Sequence, residues 1–218
     1  MNLRKIKIVR EGYPFVGISA LITYLTAFFA NLDYSVIPGA LTVYFAYFFR
    51  NPVRKTIYDE DLLYAPADGT VMSVEKIFDE EYLNEEAWKV TIFLSVFDVH
   101  VNRSPMQGEI KYQRYTCGRF VPAYKKDASF ENERHAIGIE AENRRVLVIQ
   151  IAGILARRIV SWVTLGRKLL QGECYGMIKF GSSTEIIMPK KVSVLVKKGD
   201  KVAGGLSVIG KYDVSDVG

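Results

Sequence analysis

Gly69-Thr70-Val71-Met72-Ser73-Val74-Glu75-Lys76-Ile77 interleaves valines with polar side chains directly after the turn signal Ala67-Asp68-Gly69. That spacing predicts a half-buried β-strand. Trp88 to Val96 is rich in β-branched and aromatic residues, and Val146 to Ile154 is a nearly continuous apolar run. Both read as further strands of a packed sheet system. Lys198-Gly199-Asp200 and Ala203-Gly204-Gly205 add turn punctuation near the end of the chain. Helical periodicity is weak beyond the N-terminal region. The expectation is an α+β protein with a mainly β core of barrel-sandwich-like strands, preceded by a hydrophobic helical hairpin.

The hairpin is read from charge distribution. Between Gly12 and Phe49 the only charged side chain is Asp33, and Asn31-Leu32-Asp33 divides this region into apolar stretches Tyr13 to Ala30 and Tyr34 to Phe49. Each is close to the roughly 17 to 25 residues that a membrane-crossing helix needs. Arg4, Lys5, Lys7 and Arg10 precede the pair, and Arg50, Arg54 and Lys55 follow it. A hairpin with both ends on the cytoplasmic side satisfies the preference for positive charge there. A secretory signal fits less well, because no small-residue cleavage site follows the first stretch and a second stretch comes next. A buried core hairpin is the soluble alternative. The expected organisation is a membrane-associating region, 1–50, and a core, 51–218.

At 218 residues the chain can hold one well-buried core and an appendage. Its net charge of +5 is spread among acidic residues. Nucleic-acid binding is not indicated, and an anionic lipid surface is an easier partner. Cys117 and Cys174 lack metal-type spacing, and two cysteines are compatible with a reducing compartment. No metal site is expected.

The chemistry-bearing residues are few. Phe180-Gly181-Ser182-Ser183-Thr184 places an unhindered glycine carbonyl beside a serine hydroxyl, an arrangement suited to self-cleavage, although a plain Gly-Ser turn has the same pattern. Asp68 precedes Gly69, where a carboxylate commonly caps a turn. His100 lies in Phe97-Asp98-Val99-His100-Val101-Asn102-Arg103-Ser104-Pro105, and His135 is the only other histidine.

Taken together, five stretches resemble phosphatidylserine decarboxylase proenzymes of the short prokaryotic type. They are Phe48-Phe49-Arg50-Asn51-Pro52, Ala65-Pro66-Ala67-Asp68-Gly69, Asp98 to Pro105, Ala128-Ser129-Phe130-Glu131-Asn132-Glu133-Arg134, and Tyr175-Gly176-Met177-Ile178-Lys179-Phe180-Gly181-Ser182. The resemblance implies self-cleavage between Gly181 and Ser182, giving a β chain, 1–181, and an α chain, 182–218, that remain together as a heterodimer. Ser182 would attack the Gly181 carbonyl, the peptide would become an ester, and elimination then hydrolysis would leave a covalent pyruvoyl cofactor derived from Ser182. His100 as base and Asp68 as its orienter would complete the processing machinery. The mature enzyme would remove carbon dioxide from the serine headgroup of phosphatidylserine through a Schiff base, with His100 also delivering a proton. No diffusible cofactor is then needed. The implied location is the inner cell membrane, core facing the cytoplasm, and a higher oligomer is compatible.

Two positions depart from the family pattern. Longer members carry a second histidine where this chain has Arg103, so one histidine would serve both reactions. Ser183 supplies a hydroxyl beside the processing serine, but Gly181 offers Ser182 the less hindered carbonyl. An ether-linked archaetidylserine substrate stays open beside the ester-linked lipid, as does another aminoacyl decarboxylase of the pyruvoyl class. Val192 to Ile209 also resembles lipoyl and biotinyl domains, but no Met-Lys-Met attachment turn accompanies it.

Overall fold

The computed structural model describes residues 6–118, 132–153, 158–179 and 182–213. The chain divides into two compact units, Met1–Val53 and Arg54–Gly218. In the first, strand β1 (Ile6–Ile8) pairs antiparallel with β2 (Arg50–Pro52) and closes the base of a helical hairpin, α1 (Tyr13–Phe29) and α2 (Leu32–Phe48). Pro14 in the first turn of α1 costs no intrahelical hydrogen bond, and Asn31 stands as the N-cap residue of α2. The helices meet through Phe15 and Phe45, whose ring centroids are 5.6 Å apart, and through the Thr23 and Thr42 hydroxyls at 3.3 Å.

The outward residues of this hairpin are apolar: Ile18, Leu21, Phe28, Phe29, Ile37 and Val43 are all exposed. Its five serine and threonine hydroxyls, Ser19, Thr23, Thr26, Ser35 and Thr42, each donate to a carbonyl of the preceding turn at 2.6–2.9 Å. The helices therefore present little unsatisfied polarity, as a lipid environment requires. The segment Arg10–Phe29 is long and apolar enough to cross a bilayer, with a mean hydropathy of 1.4.

The second unit is β-structure. Its strands are β3 (Leu62–Tyr64), β4 (Gly69–Asp79), β5 (Glu85–Leu94), β6 (Val101–Arg103), β7 (Gly108–Thr116), β8 (Arg134–Ala141), β9 (Arg144–Ala152), β10 (Arg158–Ser161), β11 (Lys168–Leu169), β12 (Cys174–Lys179), β13 (Ser182–Pro189), β14 (Val192–Val194), β15 (Lys201–Val202) and β16 (Val208–Tyr212). Eight form a curled antiparallel sheet in the order β11-β7-β8-β9-β13-β5-β4-β15. Two three-stranded sheets, β10-β12-β6 and β14-β16-β3, complete the core.

Both faces of the central strands are covered. Val71, Ile92, Ile137, Val148, Ile186 and Met188 point to one core, with Leu63, Tyr175 and Ile209, while Leu83, Ala136, Leu147, Ile149 and Ile187 form a second core on the opposite face. Two-sided burial is why the β9 sequence runs apolar without alternation. Close approaches explain two glycines. A Cβ on Gly69 would lie 2.1 Å from the Phe93 carbonyl oxygen, at φ +154°, and one on Gly176 would lie 2.5 Å from that of Val160.

Strand β13 is central, paired with β5 on one side and β9 on the other, so the Ser182 backbone is registered with Leu94 and Ala152. The chain leaves the small sheet at Lys179 and enters the large one at Ser182. Phe180 and Gly181, and with them one side of the expected cleavage bond, lie outside the described residues, as do Ala128 to Glu131.

Candidate active site

The site is built around the start of β13. His100 immediately precedes β6 and is fully buried between Val99 and Val101. A tight turn presents it: the Asp98 carboxylate accepts the Ser95 N–H at 2.8 Å, and the Ser95 carbonyl accepts the Asp98 N–H at 2.8 Å. The Asp98 carbonyl, 3.0 Å from His100 Nδ1, can only accept, so the neutral ring carries its hydrogen on Nδ1 and its lone pair on Nε2. The His100 carbonyl accepts the Ile178 N–H, tying the histidine to the strand that leads into the expected cleavage bond.

Asp68 occupies a different contact. Arg54 grips its carboxylate with both Nη atoms, the Nη2–Oδ2 distance being 2.7 Å, and the Gly204 N–H donates to Oδ1 at 2.8 Å. Both members of this ion pair are largely buried. The orienting contact to His100 that the resemblance implies for Asp68 is made here by the Asp98 carbonyl. Asp68 stands near the site through Pro66, whose carbonyl accepts the Arg103 N–H at 2.9 Å. Arg103 donates from Nη1 to the Gly172 carbonyl at 3.1 Å, and burial lowers its pKa.

The strand ends beside Ser182 are fastened by Asn132 and Glu133. Asn132 Nδ2 donates to the Ala152 carbonyl at 2.7 Å, and the Ala152 N–H donates to the Glu133 carbonyl at 2.9 Å. The Glu133 carboxylate accepts the Ile159 N–H and the Tyr115 hydroxyl. The Asn132-Glu133-Arg134 part of the family-like segment thus sets the end of β9, the neighbour of Ser182.

Several polar residues of this region carried no signal as motifs. Asn102 Nδ2 donates to Thr184 Oγ1 at 2.9 Å, and Gln150 Nε2 donates to Asn102 Oδ1 at 2.8 Å. Gln150 Oε1 lies 2.9 Å from Nδ1 of His135. The one legible sign was Gln150 itself, the single polar side chain in Val146 to Ile154. His135 is buried in this row, and desolvation lowers its pKa. Among the described residues no group of three or more His, Cys, Asp or Glu is placed to hold a metal.

Residues 41–210 match the phosphatidylserine decarboxylase family. The chain is 46% identical over 203 residues to a phosphatidylserine decarboxylase proenzyme of Carboxydothermus hydrogenoformans, covering 93% of this chain and 95% of that protein. It is 41% identical over 211 residues to the proenzyme of Symbiobacterium thermophilum, covering 96% and 98%, and 42% identical over 207 residues to that of Syntrophus aciditrophicus, covering 94% and 97%. With the match running through both the hairpin and the β core, the chain belongs to the phosphatidylserine decarboxylase family.

Proposed function

We propose that this protein is a self-processing decarboxylase that converts phosphatidylserine to phosphatidylethanolamine at a membrane surface. The observation that carries the reading is the near-full-length match to proenzymes of that name, joined to the position of Ser182 at the head of the central strand. Ser182 forms a bond from its hydroxyl oxygen to the Gly181 carbonyl carbon as the peptide C–N bond breaks. Elimination from the resulting ester releases the Gly181 carboxylate, and hydrolysis releases ammonia. His100 Nε2 takes the Ser182 hydroxyl proton, its ring held by the Asp98 carbonyl.

The surroundings suit a pyruvoyl group at position 182, because the group comes from the chain itself and the backbone there is held by strands on both sides. Such a group would supply an electrophilic carbonyl for the headgroup amine and an acceptor for the electron pair left on the substrate carbon when carbon dioxide departs. His100 then holds the proton that replaces the carboxyl group. The β and α chains, 1–181 and 182–218, stay joined by the β13 ladders. The apolar hairpin holds the enzyme at its lipid substrate, and its basic flanks place the core on the cytoplasmic face.

Intact mass after denaturation tests this. Wild-type protein is expected as two chains divided before Ser182, the smaller without a free amino terminus, and Ser182→Ala as one full-length chain. A single uncut wild-type chain that decarboxylates lipid overturns the proposal.

A further inference from the structure

A row of buried polar side chains crosses the inner face of the large sheet. His135, Gln150 and Thr184 are cross-strand neighbours on β8, β9 and β13. Asn102 joins them from β6, and Gln113 from β7. The direction of every bond in the row follows from elementary hydrogen-bond chemistry.

The Val163 carbonyl can only accept, and it lies 3.2 Å from Gln113 Nε2. That fixes the Gln113 amide nitrogen, which can only donate, so His135 Nε2, 2.9 Å away, is the acceptor. The neutral His135 ring then carries its hydrogen on Nδ1 and donates to Gln150 Oε1. Gln150 Nε2 donates to Asn102 Oδ1, and Asn102 Nδ2 donates to Thr184 Oγ1. Thr184 has accepted the last donor, and its own hydrogen remains to be given. Thr184 is fully buried, and among the described residues no side-chain or backbone acceptor takes that hydrogen. It stands two residues from Ser182 in the same strand.

We infer that Thr184 donates a hydrogen bond to the reacting group at position 182, and that Asn102, Gln150 and His135 are positioning residues that fix the direction of its hydroxyl. The inference rests on the assignment of Ser182 as the reacting residue. Negative charge builds on oxygen during self-cleavage and again as carbon dioxide leaves. A donor already aimed at that charge lowers both barriers without reorganising. Four residues on four strands are spent on orienting the one hydroxyl of Thr184, in a core where each polar group must be matched.

The test uses the full-length protein and a short-chain, water-soluble phosphatidylserine. Thr184→Val keeps the side-chain shape and β-propensity. It is expected to slow self-cleavage or, in any matured fraction, to lower kcat by about 100-fold, the scale of losing one such donor, with KM little changed. Thr184→Ser, which retains the hydroxyl, is expected to restore both rates. If Thr184→Val folds poorly, Thr184→Cys reads the same quantity with a much weaker donor, and a drop in rate is again expected. Wild-type rates in the Val or Cys variant overturn the inference, as does a Ser variant as slow as Val, which would assign the effect to methyl packing. The α-chain mass separates the two readings: a cut elsewhere than before Ser182 defeats the processing assignment, whereas a correct cut with Thr184→Val unaffected defeats only this one.

Discussion

His100 and His135 are both buried histidines, yet their surroundings assign them different work. His100 sits beside the strand entering the expected cleavage bond, with Nδ1 at the Asp98 carbonyl, whereas His135 lies between the Gln113 and Gln150 side chains in the polar row across the sheet. His100→Ala is expected to lower self-cleavage by at least about 100-fold, the usual contribution of a general base. His135→Gln is expected to be milder, and equal losses in stably folded variants would defeat the distinction. Asp68 poses a related question, since Arg54 and the Gly204 amide hold its carboxylate. Asp68→Asn leaves a buried guanidinium without its counter-charge and is expected to cost about 3 kcal/mol in urea denaturation, measured in the uncleaved Ser182→Ala background. Unchanged stability in that background, together with abolished cleavage when Ser182 is present, would assign Asp68 to the chemistry instead.

Strand β13 combines a reactive beginning with a burdened middle. Glu185 is nearly buried on the face opposite Thr184, next to the core of Leu147, Ile149 and Ile187. Desolvation raises its pKa above the ordinary 4.5; Lys89 and Arg134 oppose the rise, and Glu75 and Glu81 reinforce it. The folded protein therefore holds this proton more tightly than the unfolded chain does. The stability it contributes is complete below the unfolded value and is lost as pH rises through the folded one. Glu185→Gln is expected to raise the thermal midpoint relative to wild type at pH 8, with the advantage shrinking toward pH 5. An advantage independent of pH would show that ionisation of Glu185 is not the cause. The central place of β13 in the sheet was not readable in the sequence, because its partners β5 and β9 are remote in the chain.

On the scale of the molecule, the division at Val53 separates apolar surface from a self-sufficient β core with its own hydrophobic interior. A chain beginning at Arg54 is expected to leave the membrane fraction, cleave before Ser182, and act on a soluble short-chain substrate while turning over vesicle-embedded lipid poorly. Exposed apolar helices are an association hazard in water, and a bilayer removes it. Full membrane binding and full vesicle activity by that shortened chain would move the lipid contact to the β core.

The sequence by itself determined the local features. The apolar stretches at 13–49 became helices because they are long and carry Asp33 as their single charge, with the break at Ala30-Asn31, and the β-branched runs became strands, with Gly199 at a turn. The segments around Asp68, His100 and Ser182 were visible because a reactive residue type in a recurring order is a one-dimensional signal. Tertiary structure alone decided who meets whom. Arg54 is 14 residues from Asp68, Asn102 is 82 from Thr184, and Gln150 is 48 from Asn102. Such pairings arise when sheet register and the apposition of two sheets force buried polar groups to find partners, and register is a property of several strands at once.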